Sequence, residues 1–208
     1  MPFGLGKPAS ATTQLLQGLG LSRRDVSDAG LAALERLSAE RDALADRDTL
    51  APDFNRRAFL RELHRTMSEV ERYRTPAAVL YIDLDGFKVL NDSHGHAAGD
   101  AVLRHVALLL LDSVRESDVV GRLGGDEFGV VLNRANADEA RAKAWSLSEH
   151  VNTSAILYAG VPHRVRASVG VHPIAAVEDP EFAIARADEA MYAEKYARRE
   201  QAQAFAGF

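Results

Sequence analysis

Apolar residues recur with a period that switches along the chain between about 3.6 and 2, and each switch marks an element. Leu34, Leu37 and Leu44 fall on alternating spacings of three and four, with Arg41 interrupting the seam. That pattern predicts a helix capped by Ser27. Two heptads are fewer than a coiled coil needs, so the segment reads as an amphipathic connector. Phe59, Leu63, Met67 and Val70 then share one face of a helix over 55–71. Pro76 stops the chain, and the apolar run over 77–83 reads as a strand buried on both faces. Val102, Leu103, Val106, Leu109, Leu110 and Val114 mark a second helix. Two short strands flank Gly124-Gly125 as a hairpin, and Ala140, Ala144, Leu147 and Val151 mark a third helix that takes Trp145 into the core. Val165, Ala167, Val169 and Val171 alternate as a strand does, and Asp179-Pro180-Glu181 opens a last helix through Tyr192 and Lys195. The sum is an α/β domain over 48–208, its central sheet containing an antiparallel hairpin, preceded over 1–47 by a flexible segment and the connector helix.

Composition narrows the function. With 47% apolar and 26% charged residues the chain is that of a soluble globular protein. Lysine plus arginine number 25 against 30 acidic residues, a net charge of −5, which argues against a nucleic-acid contact surface. Cysteine is absent, so thiolate metal sites and cysteine nucleophiles are excluded. The longest dense apolar stretch, 106–111, is far short of the ~20 residues that span a bilayer. No secretory leader is apparent at the N-terminus, and a cytoplasmic location is expected.

Two constellations carry candidate chemistry. In Ile-Asp-Leu-Asp-Gly-Phe-Lys, 82–88, Asp83 and Asp85 point to one side of a buried strand and offer hard oxygen donors of the kind magnesium takes. Gly86, Phe87 and Lys88 follow with backbone N–H groups that could cradle phosphate. The second is the hairpin tip, where Asp126 and Glu127 follow Gly124-Gly125. Aspartates often end strands, and an acidic turn is often mere solvated surface. If the hairpin neighbours the Asp83 strand, however, three carboxylates converge and repel one another unless a divalent ion joins them. His94 and His96 are expected in a loop; they lack a third ligand for zinc, and His96 is read as ordering the segment that carries Asp100.

The segments RLGGDEF at 122–128, DLDGFKVLNDSHGHAAGD at 83–100 and ADEAMYAEKYARR at 187–199 resemble, in order and spacing, the GGDEF family of diguanylate cyclases. DTLAPDFNRRAF at 48–59 is a looser match to that family's opening segment. The resemblance implies a nucleotidyl-cyclase-like domain, a central mixed sheet flanked by helices. It implies condensation of two GTP to cyclic di-GMP with release of two pyrophosphates, one GTP on each protomer of a homodimer. By the same resemblance magnesium, or manganese in its place, is held by Asp83, the Leu84 carbonyl, Asp126 and Glu127, with Asp126 helping to deprotonate the attacking hydroxyl. Asn91 and Asp100 resemble the guanine readers. Phe87 and Lys88 through their N–H groups, with the side chains of Lys88, Lys195 and Arg199, resemble the phosphate holders. Arg115 and Asp118 are similar to the inhibitory site at which such cyclases bind their product.

The match departs at two places. The family runs Leu-Thr-Gly-Leu-Pro where this chain has Leu50, Ala51, Pro52, Asp53 and Phe54, at the junction of connector and domain. Arg198 and Glu200 flank Arg199 where Gly and Asn are usual. Two readings compete with the cyclase: a catalytically silent receptor for GTP or cyclic di-GMP, and an unrelated magnesium-dependent nucleotidyl transferase that would accept ATP equally. The acids at 83, 126 and 127 speak against the first, and Asp100, an acceptor for guanine N–H donors that adenine lacks, speaks against the second.

Overall fold

The computed structural model describes Leu16, residues 20–50 and residues 53–206. The chain divides between Ala45 and Asp46 into two compact units. In the first, α1 (Asp28–Ala45) is capped as expected: Ser27 Oγ accepts the Gly30 N–H at 3.1 Å. Leu37 of the anticipated seam is 62% exposed. The side chains of Arg41 and Leu44 lie outside the described residues.

The second unit begins with β1 (Phe54–Asn55), α2 (Arg56–Tyr73), β2 (Ala77–Asp85), α3 (Phe87–His94) and α4 (His96–Ser113). It continues through the hairpin β3 (Val119–Gly124) and β4 (Glu127–Asn133) to α5 (Ala137–Thr153), a second small hairpin β5 (Ile156–Tyr158) and β6 (Val161–His163), then β7 (Arg166–Ile174) and α6 (Pro180–Ala206). Five strands form one sheet in the order β1-β3-β4-β2-β7. The sheet is mixed, because β1 runs parallel to β3 while the other neighbours are antiparallel.

Period-two alternation sorts the core into two layers. Ala78, Leu80, Ile82 and Leu84 of β2 pack with α3, α4 and α5. Ala77, Val79 and Tyr81 pack with α2 and α6 on the other face. Each fully buried aliphatic side chain contributes about 1.5–3 kcal/mol by leaving water. Because side chains alternate, Asp83 and Asp85 at the end of β2 continue the face covered by α6. Phe59 of α2 lies directly over β3 and β4, where a Cβ on Gly129 would meet its ring at 2.5 Å. That close approach explains a glycine inside a strand.

Two expectations are corrected, and one element was unforeseen. His94 and His96 do not share a loop: they end α3 and begin α4, with Gly95 at φ 82° making the corner between. Trp145 is 71% exposed, because Ala144 and Leu147 already fill the buried face of α5 and position 145 turns outward. The β5–β6 hairpin was not anticipated, since strands of three residues are too short to show a period.

Candidate active site

The end of β2 gathers the charged groups. Asp83 is the register partner of Glu127 on β4, so their side chains rise from the same face of the sheet as direct neighbours. The turn Gly125-Asp126 closes the hairpin beside them, with Gly125 at φ 43°. Leu84 is opposite Ala167 on β7, whose N–H and C=O turn outward to Asn152 and Ser148 at 2.9 Å each. The backbone of Leu84 therefore points the other way, toward the hairpin, and its N–H donates to the Asp126 carbonyl at 3.3 Å. Lys195 reaches in from α6 and donates to Asp83 Oδ1 at 2.7 Å. It also ion-pairs with Asp85 Oδ1, an oxygen with no well-aligned hydrogen bond, while Asp85 Oδ2 accepts from Ser168 Oγ at 2.7 Å.

The charge balance of this cluster is uneven. Burial raises the Asp126 carboxyl above the ordinary carboxylate range, and the charges of Asp83 and Glu127 push in the same direction against Lys195. Asp188 of α6 is raised for the same reasons, burial first and then Glu127 and Asp83. Tyr81 has its hydroxyl against Glu127; burial, followed by that hydrogen bond, lifts it beyond the usual phenol range. Burial works against the charge of Lys195, but its bonds to Asp83 and Asp85 outweigh it and hold the ammonium above its ordinary value. Among the described residues no three ligating side chains stand in a ready-made ion cage. The donor chemistry nevertheless fits a divalent cation: hard oxygens in excess, half-buried, with one ammonium against several carboxylates.

A second region adjoins it. Gly86 at φ 79° starts α3, leaving the N–H groups of Phe87 and Lys88 in the unpaired first turn. Asn91 on α3 faces α4, and its Oδ1 is buried without a hydrogen-bond partner among the described residues. It sits where a Cβ on Gly99 would be, 1.9 Å away, so glycine at 99 is what makes room for the amide. Asp100, half-buried, is the next residue of α4.

Residues 45–201 match the family described as Diguanylate cyclase, GGDEF domain. The chain belongs to this family.

DgcE of Escherichia coli (strain K12) is 44% identical over 127 residues, 61% of this chain and 12% of that protein. Diguanylate cyclase DosC of the same strain is 38% identical over 149 residues, 71% of this chain and 32% of that protein. The chain thus spans a third or less of these relatives' lengths. A crystal structure of the GGDEF domain of DgcB from Caulobacter crescentus in complex with c-di-GMP superposes with a TM-score of 0.69 at 29% identity, covering 74% of this chain and 89% of that one.

Within this GGDEF domain the Arg115–Asp118 pair lies beyond α4, in the turn before β3, and not on the helix. Both Asp118 oxygens are engaged by the backbone: Oδ2 accepts from the Arg115 N–H and Oδ1 from the Asn133 N–H, each at 3.0 Å. Arg115 is exposed and lines a cavity of about 340 Å³ with Arg134, Glu139, Lys143 and Ser146. Lys88 is exposed at the start of α3, and the Arg199 side chain lies outside the described residues.

Four contributors to the site were missed from sequence. Ser168 comes from a strand distant in the chain and lies in no motif that marks it as polar and inward; Asp188 lies within the 187–199 segment that carries the resemblance but was given no role there. Gly99 could have been found, since it sits between Asn91 and Asp100 in a stretch already singled out. Arg122 was passed over although it precedes the turn: its Nε and Nη2 hold the Gly125 carbonyl at 3.0 and 2.8 Å, and its Nη1 reaches Asp48 at 3.2 Å.

Proposed function

We propose that this domain is a diguanylate cyclase that condenses two GTP to cyclic di-GMP, with magnesium or manganese held by Asp83, the Leu84 carbonyl, Asp126 and Glu127. The observation that carries the reading is the register pairing of Asp83 with Glu127, with Lys195 bound to Asp83 and the Asp126 carboxyl raised by both acids after burial. A bound divalent ion would screen the carboxylates and stabilise charge on the phosphate oxygens.

The chain's own groups supply the rest. The N–H groups of Phe87 and Lys88, with the ammonium groups of Lys88 and Lys195, orient the triphosphate; Arg199 joins them on the family pattern. Asn91 and Asp100 read guanine, the carboxylate accepting from the N1–H and the exocyclic amine. Asp126 takes the proton of the attacking 3′-hydroxyl. That oxygen bonds to the α-phosphorus of the other nucleotide, the bond from α-phosphorus to the bridging oxygen breaks, and pyrophosphate leaves. The same exchange in the opposite sense closes the ring.

Each shallow half-site holds one GTP, so two copies must face each other for both attacks to be in line. Pairing two oriented nucleotides draws on the ~7–11 kcal/mol that effective molarity offers. Cyclic di-GMP returning to Arg115 would restrain the enzyme, its phosphate gripped by the guanidinium and by the neighbouring cations.

Incubation of the purified chain with GTP and magnesium, followed by nucleotide chromatography beside Asp126→Ala, tests this. Cyclic di-GMP from the wild type alone supports it. Its absence at high protein concentration, with GTP or cyclic di-GMP still bound, replaces it with the receptor reading.

A further inference from the structure

Asp53 is fully buried, and among the described residues neither of its carboxylate oxygens has a well-aligned hydrogen-bond partner. It stands where the family's opening segment carries leucine. A carboxylate in such a place has lost its hydration and keeps only its own, poorly aligned N–H as a donor.

Its surroundings tie it to the active site. The Asp53 carbonyl accepts the Asp48 N–H at 3.0 Å, the Asp46 carbonyl accepts the Asn55 N–H at 2.8 Å, and Arg47 bridges Phe54 in antiparallel fashion. Residues 46–50 and 53–55 are thereby zipped side by side. Asp48 Oδ1 accepts from the Leu50 N–H at 2.8 Å and from Arg122, whose other nitrogens hold the Gly125 carbonyl. From Asp53 the path runs through Asp48 and Arg122 to the turn that carries Asp126.

We propose that Asp53 is a protonation switch on the docking of residues 46–50 against Arg122, and through Arg122 on the Gly125-Asp126 turn. With its carboxyl neutral, Asp53 tolerates burial and the two limbs stay zipped. When the proton leaves to water, the buried carboxylate has only its own N–H to set against lost hydration; parting the limbs rehydrates it and loosens the hold of Asp48 on Arg122.

The charged groups that face Asp53 are Asp48 and Arg47 from the same loop and Arg122 from β3. Arg57 and Arg61 of α2 are bound to Asp46 instead. Burial is the largest influence and Asp48 adds to it; the Asp53 N–H, Arg122 and Arg47 oppose it, and the carboxyl is pushed up to about 6. A raised acid stabilises the docked form at low pH, and that contribution is lost as pH rises through about 6.

Hydrogen exchange on the full chain without nucleotide, from pH 5 to 7.5 and corrected for intrinsic rates, reads the switch at the amides of residues 46–50 and 125–126. Their protection is expected to fall by on the order of ten-fold across this range, since a carboxyl at about 6 loses roughly one decade of its contribution between pH 5 and full ionisation. Asp53→Leu should remain protected throughout. Asp53→Asn keeps the shape without the charge and should lose the pH response however leucine packs. Retention of the wild-type pH profile in either variant overturns the proposal. No nucleotide enters the measurement, so its outcome is independent of the cyclase reading.

Discussion

Lys195 Nζ lies 2.7 Å from Asp83 Oδ1 and also pairs with Asp85, so one ammonium is shared by two carboxylates where the sheet ends against α6. Removing it leaves several acids facing one another. Lys195→Met is expected to cost about 1–3 kcal/mol of stability, less than a fully buried pair because both partners keep some solvent contact. Magnesium in the millimolar range should restore part of the loss. Denaturation curves with and without the ion measure this; no recovery on adding the ion would count against these acids as a cation site.

Asp126→Asn is expected to lower GTP turnover by about 10²–10⁴-fold while GTP binding persists, the range typical of losing a proton acceptor. Because burial and then the charges of Asp83 and Glu127 raise the Asp126 carboxyl, its basic form appears only above the ordinary carboxylate range. In the metal-free protein Asp126 should therefore take up its proton at higher pH than an unperturbed aspartate, and magnesium, by joining the carboxylates, should lower that point. Carboxylate titration followed by NMR with and without the ion checks this; no effect of the ion would count against Asp126 as a ligand.

Gly99→Ala places a methyl group on Asn91 Oδ1. The amide must swing away, at about 1–3 kcal/mol of strain. The expected result is weaker discrimination of GTP from ATP, read by competition binding, with the phosphate contacts of α3 unchanged. Full retention of guanine preference would show that Asn91 does not read the base.

Arg115 and Asp118 should separate cleanly. Asp118→Ala leaves the Arg115 and Asn133 N–H groups without their acceptor and is predicted to destabilise the domain by about 1–3 kcal/mol. Arg115 is exposed, and Arg115→Ala should leave stability within about 0.5 kcal/mol while relieving inhibition by cyclic di-GMP. Inhibition curves and thermal melts on both variants distinguish the roles; unchanged inhibition in Arg115→Ala removes the regulatory assignment.

Asp53→Leu should stabilise the domain at pH 7 by about 3 kcal/mol, the worth of roughly two units of raised acidity constant, and by much less at pH 4. The sign follows from the raised carboxyl, whose stabilising contribution is present at low pH and lost on ionisation. Denaturant titrations at the two pH values check it, and equal stabilisation at both would assign the gain to packing alone.

The sheet, its hairpin and the helices with clear periods were legible because each is a local pattern: alternation along β2, a Gly-Gly turn between short apolar runs, a stripe on α2. Gly95 was harder, since one glycine at positive φ is enough to turn an apparent loop into a corner between two helices. Trp145 misled for a related reason: a large aromatic favours burial on average, but the face of α5 is set by Ala144 and Leu147.

The sequence by itself determined which residues could do chemistry, because residue type and spacing fix where donors, acids and turns occur along each element. Tertiary structure decided who meets whom. Antiparallel register set Asp83 against Glu127, helix packing delivered Lys195 to both aspartates of β2, and the fold buried the Asp53 carboxyl away from water. Those outcomes depend on contacts between segments far apart in the chain, and the energy of an ionised group depends on the surroundings that only such contacts create.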